Sequence, residues 1–496
     1  MYTFIISLIC LITGYAIYGK FVEKIIDPDP KRTPPCYAMQ DGVDYIPMPT
    51  WKVFLIQFLN IAGTGPIFGT IQGILFGPAA YFWIVLGCIF GGATHDYMSA
   101  MISLKRNGAS LPEIVGDEMG KVARVSQRFL ALFLMILVVA VFVKTPAGLL
   151  DSMTHDIAGM DGYLFWVVVI FAYYLLAAIL PINKIIGKIY PVFGVVLLFM
   201  AVCLFIGIFI FNHGGMPEIT DAFENHYPNG ALPLFPCLCI TIACGAVSGF
   251  HATQSPMMAR CIKNERYGRR VFYGAMITEG IVALIWAAAT LQFISGLDVA
   301  GNTPYEKLYN AMLDAKSGSI NPAILVNEIC NSWLGSFGAV LAILGVVIAP
   351  ITTGDTALRC ARLIAADMLH IKQNKVAKRL LLCLPVFAIS IVLLFVKFDI
   401  LWRYFAWFNQ TFSIFTFFTI TIYLAKLKKP YIITLIPGMF MVCVCVTYIC
   451  IDPSSLNLGN QMSYIIGVAA TLASCIWFLV WKQKHINLTP IDSKTK

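Results

Sequence analysis

The stretch Gly245-Ala-Val-Ser-Gly-Phe-His-Ala-Thr-Gln-Ser-Pro256 interrupts an otherwise apolar segment, and Gly63-Thr-Gly-Pro66 interrupts another. Both segments are long enough to cross a bilayer. A broken helix in lipid leaves backbone groups without hydrogen-bond partners, so such breaks persist only where they line a cavity. Interrupted spans at matching positions of two halves are typical of the binding site of a secondary transporter. The two breaks therefore predict both the fold and the place of the site.

The composition indicates a membrane protein. The chain is 59% hydrophobic and 12% charged, with a mean hydropathy of +0.78, whereas soluble domains are nearer half apolar and a quarter charged. The apolar runs predict an all-α polytopic protein of about thirteen transmembrane helices. The predicted spans are 2–19, 52–75, 77–103, 126–147, 162–180, 185–211, 233–259, 270–294, 335–356, 378–396, 399–425, 430–450 and 461–481.

The basic residues predict the orientation. The net charge is +9, and most of the 35 Lys and Arg residues fall in loops that follow odd-numbered spans. Cytoplasmic loops carry the excess of basic residues. We therefore expect the N-terminus outside and the C-terminus in the cytoplasm of a bacterial inner membrane. Residues 1–482 are expected to form one transporter domain, with a short cytoplasmic tail at 483–496, and no nucleic-acid partner is expected.

The interrupted spans are the second and the seventh, which predicts an inverted repeat. A unit of five helices must invert when it is repeated, because five is odd. Residues 52–211 and 233–425 then form a LeuT-like 5+5 repeat. The helices at 2–19, 430–450 and 461–481 are peripheral. The strings Lys144–Gly148 and Ala349–Asp355 are expected to be helix ends at matching repeat positions, with chance similarity of short Pro/Gly strings as the alternative.

The breaks supply the candidate substrate site. Pro66 and Pro256 are expected to start second half-helices, whose free N–H groups and positive dipole ends suit a carboxylate. Two plain proline kinks are the alternative. Asn409 and Gln410 follow an aromatic run of another span and are expected to face the bundle interior. The predicted substrate-binding residues are Gly63, Thr64, Gly65, Pro66, Ser248, His251, Thr253, Gln254, Ser255, Asn409 and Gln410.

Polar groups inside spans supply the candidates for ion coupling. Intramembrane acids are costly and usually functional. Hydroxyl groups on the ninth span, together with carbonyls freed near Ala62 and Gly63, suit a hard cation such as sodium, while the acids and His251 suit a proton. The predicted coupling residues are Thr352, Thr353, Asp355, Glu279, His95 and Asp96. For Asp96 and Asp355 an interfacial structural role is an alternative, and for His251 the alternative is a structural histidine with satisfied hydrogen bonds. No metal site, disulfide or cofactor is predicted, and the oligomeric state is left open.

Several stretches resemble the carbon starvation protein A (CstA) family. The resemblance implies uptake of small carbon and nitrogen sources across the bacterial inner membrane during nutrient limitation, either of peptides or, coupled to a proton, of pyruvate. The chain looks shorter than the longer members of that family. The matching stretches are Ile61–Ile67, Gly92–Tyr97, Gly245–Arg260, Thr353–Arg359, Trp402–Thr411 and residues 20–47.

Two other classes of function compete with an ion-coupled transporter. An intramembrane enzyme would use Ser248 or Ser255 with His251 and Asp96, yet the sequence lacks the spacing of a nucleophile elbow or a zinc-binding motif. A nutrient sensor would need a signalling partner, since no output domain is evident. Transport is therefore the leading prediction.

Overall fold

A computed structural model describes residues 1–42, 44–154, 161–179, 186–211, 216–221, 223–296, 298–313, 320–371, 373 and 375–486. These residues form helices and connecting loops, and the described parts contain no β-strand beyond an isolated bridge between Leu313 and Ile320. The predicted span limits at residues 180 and 185, and most of the predicted tail, lie outside the described residues. The all-helical architecture predicted from the hydropathy is confirmed.

The described residues contain twenty-one α-helices. The first eleven are α1 (Tyr2–Ala16), α2 (Tyr18–Ile26), α3 (Pro35–Ala38), α4 (Thr50–Ala62), α5 (Thr70–Gly73), α6 (Ala79–Leu86), α7 (Ala93–Lys105), α8 (Leu111–Met119), α9 (Lys121–Thr154), α10 (Gly162–Ile179) and α11 (Ile186–Ile210). The others are α12 (Leu234–Thr241), α13 (His251–Ala259), α14 (Gly274–Ser295), α15 (Pro304–Met312), α16 (Pro322–Ala342), α17 (Ile348–Leu369), α18 (Val376–Leu393), α19 (Phe398–Lys426), α20 (Ile432–Ile451) and α21 (Asn460–Ile486).

Length and hydropathy identify the helices that are able to cross a bilayer. In the described part of the chain, 7 helical stretches are long and apolar enough to cross a bilayer on their own, and the number is 8 if one bent pair is counted as a single span. The pair consists of Thr50–Ala62 and Gly65–Phe76, whose axes differ by 49°. Each of the remaining predicted spans also coincides with helix, but these helices are shorter, interrupted or more polar than the stretches just counted. The chain is thus a multi-pass membrane protein with broken helical segments.

One end of the bundle, which we call the basic face, gathers loops that follow the predicted first, third, seventh and eleventh spans. The loops contact one another directly, as the alternation of basic loops predicts. The contacts are Lys105 Nζ to Ile26 O (2.7 Å), Asn264 Nδ2 to Pro30 O (2.9 Å), Arg260 Nε to Gly108 O (2.9 Å) and Lys426 Nζ to Glu118 Oε2 (2.8 Å).

The opposite face gathers the start of α1 and the loops after even-numbered spans. Its contacts are Thr3 N to Glu218 Oε2 (2.8 Å), Lys144 Nζ to Leu394 O (2.9 Å), Arg403 Nη1 to Asp452 Oδ1 (3.1 Å) and Tyr404 OH to Ser454 O (2.9 Å). In the described part of the chain, these loops from the two sides of the charge pattern thus gather at different ends of the bundle.

The prediction that Lys144–Gly148 and Ala349–Asp355 end helices is wrong. α9 continues through Pro146 to Thr154, and α17 continues through Pro350 to Leu369. A proline inside a helix leaves the carbonyl four residues earlier without its usual partner. For Pro146 that carbonyl belongs to Phe142, and it accepts a hydrogen bond from Tyr174 OH at 3.1 Å. For Pro350 it belongs to Val346, within the wide π-helical turn Ile343–Val347.

Candidate functional site

The first break has the predicted position. α4 ends at Ala62, and Gly63 adopts φ 48° and ψ −138°, a backbone conformation that residues with a Cβ rarely adopt. A wide π-helical turn, Gly65–Gly69, then begins with Pro66 in its first turn, where the missing N–H of proline has no cost. Thr64 is fully buried, and its Oγ1 has no hydrogen-bond partner among the residues that the structure describes. The break thus exposes polar backbone and one hydroxyl inside the bundle.

The second break lies upstream of its predicted position. α12 ends at Thr241 and α13 begins at His251, so residues 242–250 are irregular and Pro256 lies inside α13. The prediction that Pro256 starts the half-helix is therefore wrong. Backbone conformation decides the outcome: Gly245 has φ 92°, and a Cβ on Gly249 would lie 2.3 Å from Asn409 O. These glycines, not the proline, set the limits of the break.

The two breaks touch each other at the centre of the bundle. A Cβ on Gly65 would lie only 2.1 Å from Cys244 Cβ, and a Cβ on Gly245 would lie 3.7 Å from Pro66 Cα. A Cβ on Gly69 would lie 2.8 Å from Thr241 O. Because these glycines have no side chain, the irregular backbones of the two spans pack directly against each other.

Asn409 of α19 holds the second break. Its Oδ1 accepts a hydrogen bond from Phe250 N at 2.6 Å, and its Nδ2 donates to Ser248 Oγ at 3.0 Å. Its backbone oxygen accepts from Gly249 N at 3.1 Å. The sequence predicts free N–H groups at a half-helix that starts at Pro256. α13 starts at His251 instead, and the N–H groups of Gly249 and Phe250 just before it have acceptors on α19.

A chain of buried ionisable groups lies beside the second break. Asp96 of α7 lies between two imidazoles: its Oδ1 is 2.9 Å from His95 Nδ1, and its Oδ2 is 2.9 Å from His251 Nδ1. His251 Nε2 is in turn 3.6 Å from Glu279 Oε2 of α14. All four side chains are 0% exposed. The structure therefore joins three predicted coupling residues to His251, which was predicted as a substrate ligand.

Cys244 completes a constellation that the sequence did not reveal. The ligand atoms of Cys244, His251 and Glu279 all lie within 4.8 Å of one another. The three residues come from the irregular segment, α13 and α14, so no short spacing motif joins them. The only sequence signal for Cys244 is its position directly before Gly245, where the predicted break begins. A cysteine inside a span most often packs as a small hydrophobe, so its presence there does not by itself indicate a site.

The remaining predicted substrate residues point away from this centre. Thr253 Oγ1 donates to Phe250 O at 2.7 Å, and Gln254 Nε2 donates to Thr253 Oγ1 at 3.0 Å. Ser255 Oγ accepts from Gln57 Nε2 of α4 at 3.0 Å. Gln410 Nε2 donates to Cys239 O. Ser255 and Gln410 thus link α13 and α19 to neighbouring spans, whereas Thr253 and Gln254 form these bonds within α13 and the turn before it. Of the predicted substrate residues outside the first break, Ser248, His251 and Asn409 lie at the second break.

The three predicted coupling residues of α17 have different contacts. Thr353 faces the first break, since its Oγ1 donates to Leu59 O at 3.1 Å and a Cβ on Gly63 would lie 3.4 Å from that hydroxyl. Thr352 Oγ1 instead donates to Ala349 O of its own helix at 2.8 Å. Asp355 lies elsewhere: its Oδ2 accepts from Tyr190 OH at 2.6 Å. Sequence reasoning did not identify Tyr190.

Two cavities lie against segments that flank the breaks, one at each face. A cavity of about 380 Å³ at the basic face is lined by Thr253, Pro256 and Met257 of α13, among others. A cavity of about 330 Å³ at the opposite face is lined by Gln72, Thr241 and Trp402, among others. His251, Glu279 and Asp96 line neither cavity. The buried charge cluster is therefore separate from both cavities in this structure.

The sequence matches relatives in several bacteria. It is 44% identical to an uncharacterized membrane protein of Haemophilus influenzae, over 59% of this chain and 91% of the relative. It is 28% identical to the peptide transporter CstA of Bacillus subtilis, over 58% of each protein. It is 30% identical to the pyruvate/proton symporter BtsT of Escherichia coli, over 59% of this chain and 49% of the relative. The chain thus spans about half the length of the two named transporters.

Solved transporter structures share the fold. A manganese transporter of Eremococcus coleocola superposes with a TM-score of 0.50 at 15% identity, over 90% of this chain and 99% of the other. A Na⁺-coupled sialic acid symporter superposes with a TM-score of 0.54 at 13% identity, over 96% and 97%. The named relatives and these neighbours are transporters, not enzymes. The sequence of this chain matches the family described as carbon starvation protein CstA over residues 1–160 and 156–321, and it belongs to that family.

Proposed function

We propose that this chain is a cation-coupled secondary transporter that imports small carboxylate-bearing nutrients, pyruvate or short peptides, during carbon starvation. The observation that carries the proposal is the direct contact of two broken spans, at Gly65 and Cys244, between cavities that open to opposite faces. Broken helices that meet near the middle of a bundle form the solute site of many secondary transporters. The substrate classes come from the names of the Bacillus subtilis and Escherichia coli relatives.

In the proposed binding mode, the substrate carboxylate replaces the amide oxygen of Asn409. The groups released are the Phe250 N–H and the Ser248 hydroxyl, which Asn409 now engages. The N-terminus of α13 contributes its positive dipole end. Thr64 contributes a hydroxyl from the first break, together with the backbone of Gly63, Gly65 and Pro66. Thr253, Gln254, Ser255 and Gln410 then position the elements of the site.

Two groups are proposed to hold the coupling cation. The first group is the hydroxyl of Thr353 with the backbone oxygens around Leu59 and Gly63. This set of oxygens suits sodium, and Thr352 and Asp355 extend the set along α17. The second is the cluster of His95, Asp96 and Glu279, whose buried acids suit a proton. An acid in this position is costly unless a cation compensates its charge.

The proposed arrangement is a single transporter domain over residues 1–482 with about thirteen spans. Residues 52–211 and 233–425 form the two inverted halves. The basic face lies in the cytoplasm of a bacterial inner membrane, since cytoplasmic loops carry the excess of Lys and Arg. The N-terminus is then outside, and residues 483–496 form a cytoplasmic tail. This orientation makes the cavity beside Thr253 the cytoplasmic one.

Uptake into proteoliposomes tests the function. Labelled pyruvate and labelled dipeptides are offered under an imposed pH gradient, an imposed sodium gradient, or neither. Saturable accumulation that requires one of the gradients is the expected result. Uptake of both substrates that is indifferent to both gradients would contradict the coupling.

Two variants separate the coupling cations. Thr353→Val removes an oxygen beside the first break, and Asp96→Asn removes the charge between the imidazoles. If sodium drives uptake, Thr353→Val abolishes gradient-driven accumulation; if a proton does, Asp96→Asn abolishes it. Thr416→Val is the matched control, because its hydroxyl contacts only Phe412 O of its own helix. Equal accumulation by all three variants would overturn both assignments.

A further inference from the structure

Three side chains of different chemistry converge behind the second break. Cys244 lies in the irregular segment, His251 is the first residue of α13, and Glu279 lies in the second turn of α14. Their sulfur, nitrogen and oxygen atoms lie within 4.8 Å of one another. Thiolate, imidazole and carboxylate are the ligands that Zn²⁺ takes in proteins.

The atoms that face the centre of this group lack hydrogen-bond partners. Among the described residues, no hydrogen bond is formed by His251 Nε2 or by either carboxylate oxygen of Glu279, and both side chains are 0% exposed. A buried polar atom without a partner costs free energy, and a buried charge costs far more. Three such atoms in one buried group require a positive species, a proton or a metal ion, beside them.

The surroundings already hold the ligands in the orientation that a metal requires. Asp96 Oδ2 engages His251 Nδ1 at 2.9 Å, and a proton on Nδ1 leaves the lone pair of Nε2 for a metal. A carboxylate behind the ligating histidine is the usual outer-shell partner of a metal site. Asn409 Nδ2 donates towards Cys244 Sγ at 3.7 Å, which supports a thiolate.

Charge and size select the ion. One thiolate and one carboxylate balance the charge of a divalent cation, so the loaded site is neutral apart from Asp96 and its two imidazoles. Tetrahedral bonds to zinc place neighbouring ligand atoms roughly 3.3–3.8 Å apart. The separation of 3.6 Å between His251 Nε2 and Glu279 Oε2 already meets this requirement. The sulfur has to approach by at most about 1 Å.

We propose that Cys244, His251 and Glu279 bind a divalent transition-metal ion of the Zn²⁺ class, which clamps the second break against α14. The fourth position of the ion is open, because the described residues supply three ligands here. Asp96 is a positioning residue that orients His251 and does not touch the ion. This inference does not depend on which nutrient is transported. While the metal is bound, Glu279 is its ligand, and Asp96 and His95 are the members of the proposed coupling cluster that remain for a proton.

Cobalt binding to the purified, metal-stripped full chain tests the proposal. Co²⁺ replaces Zn²⁺ in such sites, and a thiolate ligand adds a charge-transfer band in the near ultraviolet. We expect this band with one equivalent of Co²⁺, together with visible bands of tetrahedral cobalt, and we expect added Zn²⁺ to remove both. Absence of the charge-transfer band from the wild-type protein would overturn the proposal.

Variants identify the ligands. Cys244→Ser is expected to lose the charge-transfer band, whereas Cys445→Ser, which changes a buried thiol of α20, keeps it. Asp96→Asn is expected to weaken Co²⁺ binding by about 10–100-fold without loss of the band, the usual effect of an outer-shell change. Retention of the band by Cys244→Ser, or its loss from Cys445→Ser, would assign the metal to other thiols and overturn the proposal.

Thermal unfolding is a second measurement, which tests the proposal even if one of the cysteine variants does not fold. Zn²⁺ bound to the native state alone raises the thermal midpoint of unfolding. The midpoint of the wild-type protein is expected to rise with Zn²⁺, and that of Glu279→Gln is not. Equal shifts in the two proteins, or no shift in either, would contradict the assignment of Glu279 as a ligand.

Discussion

At the scale of single residues, Asn409 is the residue on which the closed second break depends. Its side chain binds Phe250 N and Ser248 Oγ, and its carbonyl binds Gly249 N. The sequence predicted that Asn409 faces the interior, because an amide deep in a span needs a polar partner. It did not predict the partner, because the second break contains several donors and only the folded backbone selects among them.

Replacing Asn409 by alanine should destabilise the protein. The change leaves the buried Phe250 N–H without an acceptor, at a cost of about 1–3 kcal/mol. The thermal midpoint of the purified protein in detergent should fall, and substrate uptake should fall with it. Asn331→Ala is the control, since Asn331 is exposed on α16 and its side chain contacts only Asn327. An unchanged midpoint in Asn409→Ala would show that the hydrogen bonds do not hold the break.

Buried charge was the part of the site that the sequence predicted best. Asp96 and Glu279 stood out because acids are rare inside spans, and the structure places both against His251. Cys244 escaped notice because cysteine is a common small hydrophobe in cores. Its role depends on a contact between the irregular segment and α14, which sequence spacing does not encode.

At the scale of helices and breaks, the glycines predicted the positions of the breaks better than the prolines did. Gly63 and Gly245 mark the breaks through their positive φ angles, and the sequence identified both. Pro146, Pro256 and Pro350 lie inside helices instead. Tyr174 OH compensates for the hydrogen bond lost at Pro146, and Pro350 follows a wide turn. Such compensation comes from tertiary contacts, so a proline alone does not fix a helix end within a packed bundle.

The contact between the two breaks predicts a steric effect. Gly65→Ala places a Cβ 2.1 Å from Cys244 Cβ, so one backbone must shift, and overpacking of this kind costs about 1–3 kcal/mol or more. We expect a lower thermal midpoint and loss of uptake, with partial recovery of the midpoint in the double variant Gly65→Ala/Cys244→Gly. Gly148→Ala is the control, because a Cβ there meets nothing within 4 Å. Full activity of Gly65→Ala would mean that the breaks are not in contact.

A charged pair ties the loop before α4 to α17. Arg359 Nη1 lies 3.6 Å from Asp44 Oδ1, with side-chain exposures of 2% and 15%. Asp44→Asn removes the compensating charge, and the cost should stay below the roughly 3–5 kcal/mol of a fully buried pair. We expect a lower midpoint and faster maleimide labelling of a cysteine at Ala109, beside the same loop. Glu224→Gln, an exposed change at the opposite face, should alter neither measurement.

At the scale of the whole molecule, the sidedness of the loops was predictable. Loops that the charge pattern assigned to one side contact each other at the basic face, for example through Arg260 and Gly108. The charge pattern predicts the side even of loops that are far apart in the sequence, because each helix that crosses the bundle takes the chain to the other face. The two cavities were not predictable, since each one is lined by residues from several distant elements.

The two cavities predict alternating access, and this is the strongest test of the molecule as a transporter. Ala109 lines the cavity at the basic face, and Ala231 lines the cavity at the opposite face. If one cavity closes as the other opens, substrate with its coupling cation should change maleimide labelling of Ala109→Cys and Ala231→Cys in opposite directions. The control is the same pair in an Asp96→Asn background, where a proton-coupled carrier should lose the response. Changes in the same direction at both positions would indicate general loosening of the bundle and would contradict an exchange between two faces.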